Sequence, residues 1–146
     1  MSVTISAQIE TLERMGKRLD SARVLLDKRH NELISFLACL PLPAWIKDLE
    51  YRMIYINPAY EQEYGVNVED YNHKLDSEMW LQDSAAEAIK AYLAHDELVV
   101  NTRNYLSLDE CFVDPAGVSH PIKVLKWPLI VHGEVVAVAG LVITEI

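Results

Sequence analysis

The 146-residue sequence lacks several features that would assign a function directly. No apolar run reaches the roughly 18 residues of a membrane-spanning helix, and the amino terminus has neither the basic start nor the apolar core of a signal peptide. Basic residues are outnumbered, with 13 lysines and arginines against 22 acidic residues and a net charge of −9. We therefore expect a cytoplasmic location, no membrane contact and no direct nucleic-acid partner, because phosphate binding needs a cationic surface.

Cysteine is scarce, and metal-ligand spacing is missing. Cys39 and Cys111 are the only cysteines and form no CxxC pair, which predicts a reducing compartment and two buried thiols. The histidines show no spacing such as HxxxH, so we predict no metal site. They are His30, His73, His95, His120 and His132.

Catalytic motifs are missing as well. The sequence contains no GxSxG nucleophile elbow and no glycine-rich phosphate loop. Its many acidic residues fall in predicted turns and on predicted helix faces, which is typical of solvated carboxylates. We therefore predict that the chain is not an enzyme and has no catalytic residues.

Residues 1–40 are predicted to form a long amphipathic helix. Leucine recurs there at seven-residue intervals, which is typical of a coiled coil or of a helix packed on another helix. The leucines of this repeat are Leu12, Leu19, Leu26, Leu33 and Leu40. A competing stripe through Ile9, Leu25 and Leu37 leaves the register open.

We expect this helix to form a dimer, because a lone exposed apolar stripe of this length would favour non-specific association. The alternative is a helix that packs on its own domain. Pro41 and Pro43 end the helix, so residues 41–146 form the predicted second domain. With 51% apolar residues, the chain is long enough to bury a core.

The stretch 41–65 predicts a strand, a tight turn, a second strand and a helix. Residues 44–48 are short and apolar, and residues 52–56 (RMIYI) are β-branched and aromatic. Asn57 is a suitable helix cap, and Pro58 is tolerated at the first helical position. Gly65 follows the helical residues, where a left-handed conformation is common.

The remaining chain adds helices and then strands. Short helical turns precede a firm, alanine-rich helix over 83–100. Three strands follow, over 105–113, 119–130 and 135–144, and the apolar run of the last predicts burial on both faces. This order predicts an α+β fold, with helices over one face of a five-stranded antiparallel sheet.

The ordered set of these residues resembles the PAS domain family from about residue 37 to the end. The resemblance rests on Trp45–Asp48, Tyr55–Tyr60, Tyr64–Gly65, Lys74–Asp76 with Trp80, Asp96 with Val99, Asp114–Gly117, Lys126–Leu129, Gly133–Val136 and Val142–Ile146. Tyr51 departs from the pattern, because such domains often carry glycine in the first hairpin. The resemblance implies a PAS fold preceded by a long N-terminal helix.

A PAS resemblance also implies a sensory module for signal transduction, with a small organic ligand bound between sheet and helices. Because the chain stops at Ile146, we expect output through a homodimer formed by the N-terminal helix or through a signalling protein in trans. A ligand-free module for protein–protein interaction is the first alternative. A haem- or flavin-binding sensor is the second, with His95 as the axial histidine to consider and neither cysteine in a flavin-adduct motif.

Aromatic residues are the candidates for a ligand pocket, since they combine an apolar body with a polar group. The eight candidates are Trp45, Tyr55, Tyr60, Tyr64, Trp80, Tyr92, Phe112 and Trp127. Most of them are expected to be plain core. If a ligand is bound, tyrosine hydroxyls and tryptophan N–H groups are its expected polar partners, whereas His95 is expected to be solvated near a helix end.

Overall fold

The computed structural model describes residues 5–13 and 32–146, which belong to two compact units, Met1–Phe36 and Leu37–Ile146. Residues 5–13 and 32–38 are helical. Leu12 is exposed, Leu33 and Leu40 are partly buried, and Leu19 and Leu26 lie outside the described residues. The boundary between residues 40 and 41 stays a prediction. Within the described ranges, no helix is both long and apolar enough to cross a membrane.

The second unit contains a five-stranded antiparallel sheet, which confirms the predicted fold class. The strands are β1 (Ala44–Lys47), β2 (Met53–Ile56), β3 (Leu106–Val113), β4 (Ser119–Val131) and β5 (Glu134–Glu145). Their order in the sheet is β2-β1-β5-β4-β3. β5 is therefore the central strand, and residues 137–140 within it are all buried, as its apolar run predicted.

The helices lie between β2 and β3 in the sequence. They are α1 (Pro58–Tyr64), α2 (Val68–Tyr71), α3 (Asp76–Met79) and, after a 3₁₀ turn over Asp83–Ala85, α4 (Ala86–Thr102). The predicted long helix therefore begins as a 3₁₀ turn and continues past Val100. Arg103 ends it in a left-handed conformation, with a φ of 57° and its N–H bonded to the Val99 carbonyl.

Asn57 is the cap of α1, as predicted, and it also ties the start of the unit together. Its buried side-chain oxygen accepts hydrogen bonds from the backbone N–H groups of Tyr60 and Ala44, both at 2.9 Å. Its Nδ2 donates to the carbonyls of Leu37 and Leu42, also at 2.9 Å. One amide therefore satisfies four hydrogen bonds and joins α1 to β1 and to the segment before β1.

The first hairpin shows why Tyr51 can replace the more common glycine. Tyr51 adopts a φ of 64°, a conformation that costs a non-glycine residue about 1–2 kcal/mol. The Asp48 carboxylate offsets this cost by accepting hydrogen bonds from the backbone N–H groups of Glu50 and Arg52, at 2.9 and 3.0 Å. The turn is thus held by a side chain instead of by the freedom of glycine.

The prediction of two buried thiols is wrong, because Cys39 and Cys111 are both exposed. Cys111 lies on the edge strand β3, between the inward-facing Glu110 and Phe112. Successive side chains in a strand point to opposite faces, so Cys111 faces away from the core. Cys39 lies in the turn that ends helical residues 32–38.

Candidate functional site

A cavity of about 40 Å³ lies between the sheet and the helices of the second unit. Residues from all five strands line it, together with side chains from α1, α3 and α4. A site needs roughly 10–15 Å³ of such volume for each water molecule, so this cavity accommodates about three. It is far smaller than the roughly 300–1,000 Å³ of a site for a drug-sized ligand.

Six of the eight aromatic candidates line this cavity, and they are Trp45, Tyr60, Tyr64, Trp80, Tyr92 and Phe112. Most of their rings meet edge to face. The centroids of Tyr64 and Phe112 are 4.4 Å apart, those of Tyr60 and Tyr64 are 4.7 Å apart, and those of Trp80 and Phe112 are 5.2 Å apart. Each such pair stabilises the fold by about 0.5–1.5 kcal/mol beyond its burial, and together these rings form the aromatic wall of the cavity.

Tyr55 and Trp127 do not line the cavity, and strand alternation explains why. Trp45 and Lys126 face the cavity, whereas Ile46 and Trp127 follow them in their strands and face the opposite side of the sheet. Tyr55 pairs with Ile46, and Trp127 pairs with Ala139, which itself pairs with Ile46. The two candidates therefore belong to the outer face. Counting alternate positions along each strand would have assigned Tyr55 and Trp127 to the outer face in advance.

A chain of buried ion pairs adjoins the aromatic wall, and the sequence analysis missed it. The ammonium of Lys47 lies 2.5 Å from a carboxylate oxygen of Asp76 and 2.7 Å from one of Asp96. The ammonium of Lys126 lies 2.9 Å from the other Asp96 oxygen and 2.7 Å from Glu110. Asp96 is fully buried, and the side chains of Lys126, Lys47 and Glu110 are at most 3% exposed.

The charge state of this chain follows from its contacts. Burial alone would raise the pKa of Asp96, but the ammonium groups of Lys47 and Lys126 outweigh it and hold that pKa below its usual value. Burial acts to lower the pKa of Lys47, and its two aspartates outweigh that effect and raise it. Both groups are therefore charged at neutral pH. Such pairs are retained only where geometry compensates the desolvation of each ion.

The expectation that the acidic residues are solvated is wrong for Asp96 and Glu110. The sequence signal for these buried carboxylates was the presence of lysines within apolar strand segments. Lys47 ends the short apolar strand AWIK, and Lys126 interrupts the apolar run VLKWP. A lysine in the core of a strand requires a buried carboxylate, since an unpaired buried charge is very costly.

Two polar groups on the cavity wall keep unused hydrogen-bonding capacity. Lys47 donates to Asp76 and Asp96, which leaves one of its three ammonium N–H bonds without a partner among the described residues. The hydroxyl of the buried Tyr60 takes part in none of the described hydrogen bonds, whereas the hydroxyl of Tyr92 donates to the carbonyl of Cys111. Burial raises the pKa of Tyr60, so this hydroxyl stays protonated and can donate.

His95 lies at the outer end of the ion-pair chain and not on the cavity wall. Its Nδ1 is 2.8 Å from the Glu110 carboxylate, and its side chain is 29% exposed. It is thus less solvated than the sequence analysis expected. In the part of the chain that the structure describes, no three His, Cys, Asp or Glu side chains group as metal ligands.

Comparisons with known proteins agree with this architecture. A family profile described as the PAS fold matches residues 37–145. The phage VqmA–DPO complex is 26% identical with a TM-score of 0.64, over 82% of this chain and 53% of that chain. The PAS domain of Bordetella pertussis BvgS is 19% identical with a TM-score of 0.57, over 81% and 85% of the two chains. No curated protein sequence matches the chain.

A further similar structure corrects the prediction of no direct nucleic-acid partner. The Vibrio cholerae VqmA–ligand–DNA complex is 22% identical with a TM-score of 0.63, over 78% of this chain and 50% of that chain. This domain fold therefore occurs in a protein that binds DNA, and the exclusion is wrong. The net charge of −9 describes only the present 146 residues, which span about half the length of the VqmA chains.

Proposed function

The chain belongs to the PAS fold family, and from that premise we propose that it is a sensory module with a small organic ligand in its cavity. One observation carries the proposal: the aromatic wall surrounds two polar groups that the protein leaves partly unused, the Lys47 ammonium and the Tyr60 hydroxyl. Apolar lining with a few convergent polar groups is typical of ligand sites. The role is sensory and not catalytic.

The size of the cavity limits this ligand. At about 40 Å³, the site admits a molecule of several heavy atoms only if a wall moves outward. Two ion pairs hold the side chains of α3 in this wall. Asp76 binds Lys47, and Glu78 binds Arg52 at 2.9 Å. We propose that the ligand enters by displacing α3 and then takes up the free N–H of Lys47.

Calorimetric titration with DPO tests this proposal, because the similar phage protein is bound to DPO. The expected result is saturable binding that weakens at least tenfold in Phe112→Ala, which removes one side of the aromatic wall. Tyr55→Ala is the matched control, since Tyr55 lies on the outer face, and it should bind as the unchanged protein does. Native mass spectrometry and an absorbance scan of the purified protein reveal any ligand that is already bound.

The ligand-free interaction module is the second candidate, and the small cavity favours it. The two functions differ in a thermal-shift screen of small molecules that includes DPO. A filled core predicts no change in melting temperature with any compound, and a bare chain mass in native mass spectrometry. That pair of results would overturn the sensor proposal.

The route of output is a separate proposal. We propose a cytoplasmic homodimer that forms through the N-terminal helix, residues 1–40, and acts on a signalling protein in trans. The exposure of Ile5, Ile9 and Leu12 in helical residues 5–13 supports it, because each is at least half exposed. Exposed apolar side chains repeated on one helix are typical of an interface.

A further inference from the structure

His120 lies between two carboxylates that belong to different parts of the second unit. Its Nε2 is 2.8 Å from an oxygen of Asp114, in the turn between β3 and β4. Its Nδ1 is 3.2 Å from an oxygen of Glu145, at the end of β5. The ring also stacks on Phe112, with centroids 6.0 Å apart and planes at 30°. One imidazole therefore contacts the hairpin turn, the end of the central strand and a residue of the cavity wall.

Both contacts require the same protonation state. A neutral imidazole has one N–H donor and one acceptor nitrogen, whereas the imidazolium donates from both nitrogens. Carboxylate oxygens accept only, so a neutral ring must turn an acceptor towards either Asp114 or Glu145. Loss of one proton thus removes one hydrogen bond and replaces it with repulsion.

The pKa shifts of His120 and Asp114 agree with this arrangement. The hydrogen bond to Asp114 raises the pKa of His120; desolvation opposes this effect, and Glu145 raises the pKa further. The hydrogen bond from His120 lowers the pKa of Asp114. Tyr64 on α1 packs against Phe112, with ring centroids 4.4 Å apart, and its pKa is raised by burial and by Glu63, Glu145 and Glu110.

These pKa shifts determine how the stabilising contribution of the His120 contacts depends on pH. A raised histidine pKa means that the stabilising contribution is complete at acid pH and is lost as the pH rises through the pKa of the folded protein. A lowered pKa means that Asp114 keeps its charge until the pH falls below its usual range. The contacts are therefore complete in mild acid and are lost towards alkaline pH. Histidine is the side chain whose unperturbed pKa places its change of charge between about pH 5 and pH 8.

We propose that Asp114, His120 and Glu145 form a proton-operated clasp that fastens the end of β5 to the β3–β4 turn. In the protonated state, the clasp adds to the last backbone contact of the sheet, the bond from the Ile146 N–H to the Pro121 carbonyl at 2.9 Å. In the neutral state, the ring has a single N–H and keeps at most one of the two contacts, so the end of β5 is no longer fastened to the β3–β4 turn through His120. Phe112, a residue of the cavity wall, stacks on the His120 ring. Its packing therefore changes over the pH range in which His120 loses its proton.

The clasp needs no ligand, so its test is independent of the proposed function. We would measure amide-exchange protection factors by NMR at pH 5.5 and pH 8, with each rate divided by the intrinsic rate at that pH. Protection of the Ile146 amide should fall by about two- to five-fold at the higher pH, the scale of an exposed ion pair. The Val138 amide, in the buried middle of β5, should not change and serves as the internal control.

Two variants decide the assignment. His120→Gln keeps a hydrogen-bond donor but does not titrate, so its Ile146 protection should be the same at both pH values. Glu145→Gln should lower the midpoint at which the His120 ring resonances titrate. Equal protection of Ile146 at both pH values in the unchanged protein, or a His120 midpoint unaffected by Glu145→Gln, would overturn the proposal.

Discussion

Asp96 is the residue at which two buried lysines converge, with Lys47 on one oxygen and Lys126 on the other. We predict that Asp96→Asn destabilises the protein by about 3–5 kcal/mol, because it removes the negative charge that both buried ammonium groups contact. Urea denaturation followed by circular dichroism measures the loss. Glu97→Gln is the matched control, since Glu97 is exposed on the same helix and should change stability by less than about 0.5 kcal/mol. Equal effects of the two variants would contradict the importance of the buried charge.

Asp96 also contributes a specific dependence of stability on pH. Its pKa is lowered in the folded protein, so it stabilises the fold above its unfolded value of about 3.9 and loses this contribution as the pH falls through the lowered pKa. The free energy of unfolding should therefore fall more steeply below about pH 4 in the unchanged protein than in Asp96→Asn. Parallel curves from denaturation at a series of acid pH values would show that Asp96 is not charged in the folded state.

Gly140 is required by the packing of a neighbouring ring and not by its own backbone. It pairs with Trp45 across the sheet, and a β-carbon at this position would lie 2.2 Å from Cζ2 of that indole. Gly140→Ala should therefore cost about 1–3 kcal/mol, as overpacking does, and shift the fluorescence of Trp45. The double variant Trp45→Phe/Gly140→Ala should cost less than the sum of its single variants, because the smaller ring makes room. Strict additivity would contradict the clash.

At the residue scale, the roles of single residues could be predicted from the sequence, but the pairing of distant charged residues could not. The cap role of Asn57 and the burial of Trp45 followed from local pattern and residue type. The pairing of Lys47 with Asp96 joins positions far apart in the sequence, and nothing in a local pattern specifies that contact. The inward direction of Glu110 likewise depended on the register of β3, which one sequence leaves undetermined.

The N-terminal helix is the element with the most direct test. We predict that Leu26→Asp leaves the second unit folded and converts a dimer into a monomer, because a charge in a coiled-coil seam is severely destabilising. Light scattering coupled to size-exclusion chromatography measures the mass, and circular dichroism checks the fold. Ser21→Asp is the control, since it makes the same change of one negative charge outside the leucine repeat. A dimer that survives Leu26→Asp would place the interface elsewhere.

Strands and helices were predictable in kind because their patterns are local. The apolar run of β5 required a central strand, and the proline and glycine at the ends of α1 required a short helix there. The start of α4 was less predictable, because Asp83–Ala85 forms a 3₁₀ turn whose side chains make no cap bond. The sequence pattern had predicted one continuous helix over 83–100.

At the scale of the whole molecule, a sensor must couple its cavity to its output. A ligand changes an equilibrium only if it binds the two states with different affinity, and the coupling is reciprocal between the two sites. If the output is dimerisation, the dimer dissociation constant must shift on saturation with ligand. A ligand-free module has no such linkage, whatever its oligomeric state.

We therefore predict that saturating DPO changes the dimer dissociation constant at least fivefold, the lower range of measured coupling free energies. Analytical ultracentrifugation over a dilution series, with and without DPO, measures the shift. Phe112→Ala is the control, because it removes part of the cavity wall and leaves the N-terminal helix unchanged, so its dimer should not respond. Binding of DPO without any change in the dimer would separate the two functions: the cavity would then be a ligand site whose output does not pass through dimerisation, and the search for output would move to a partner protein.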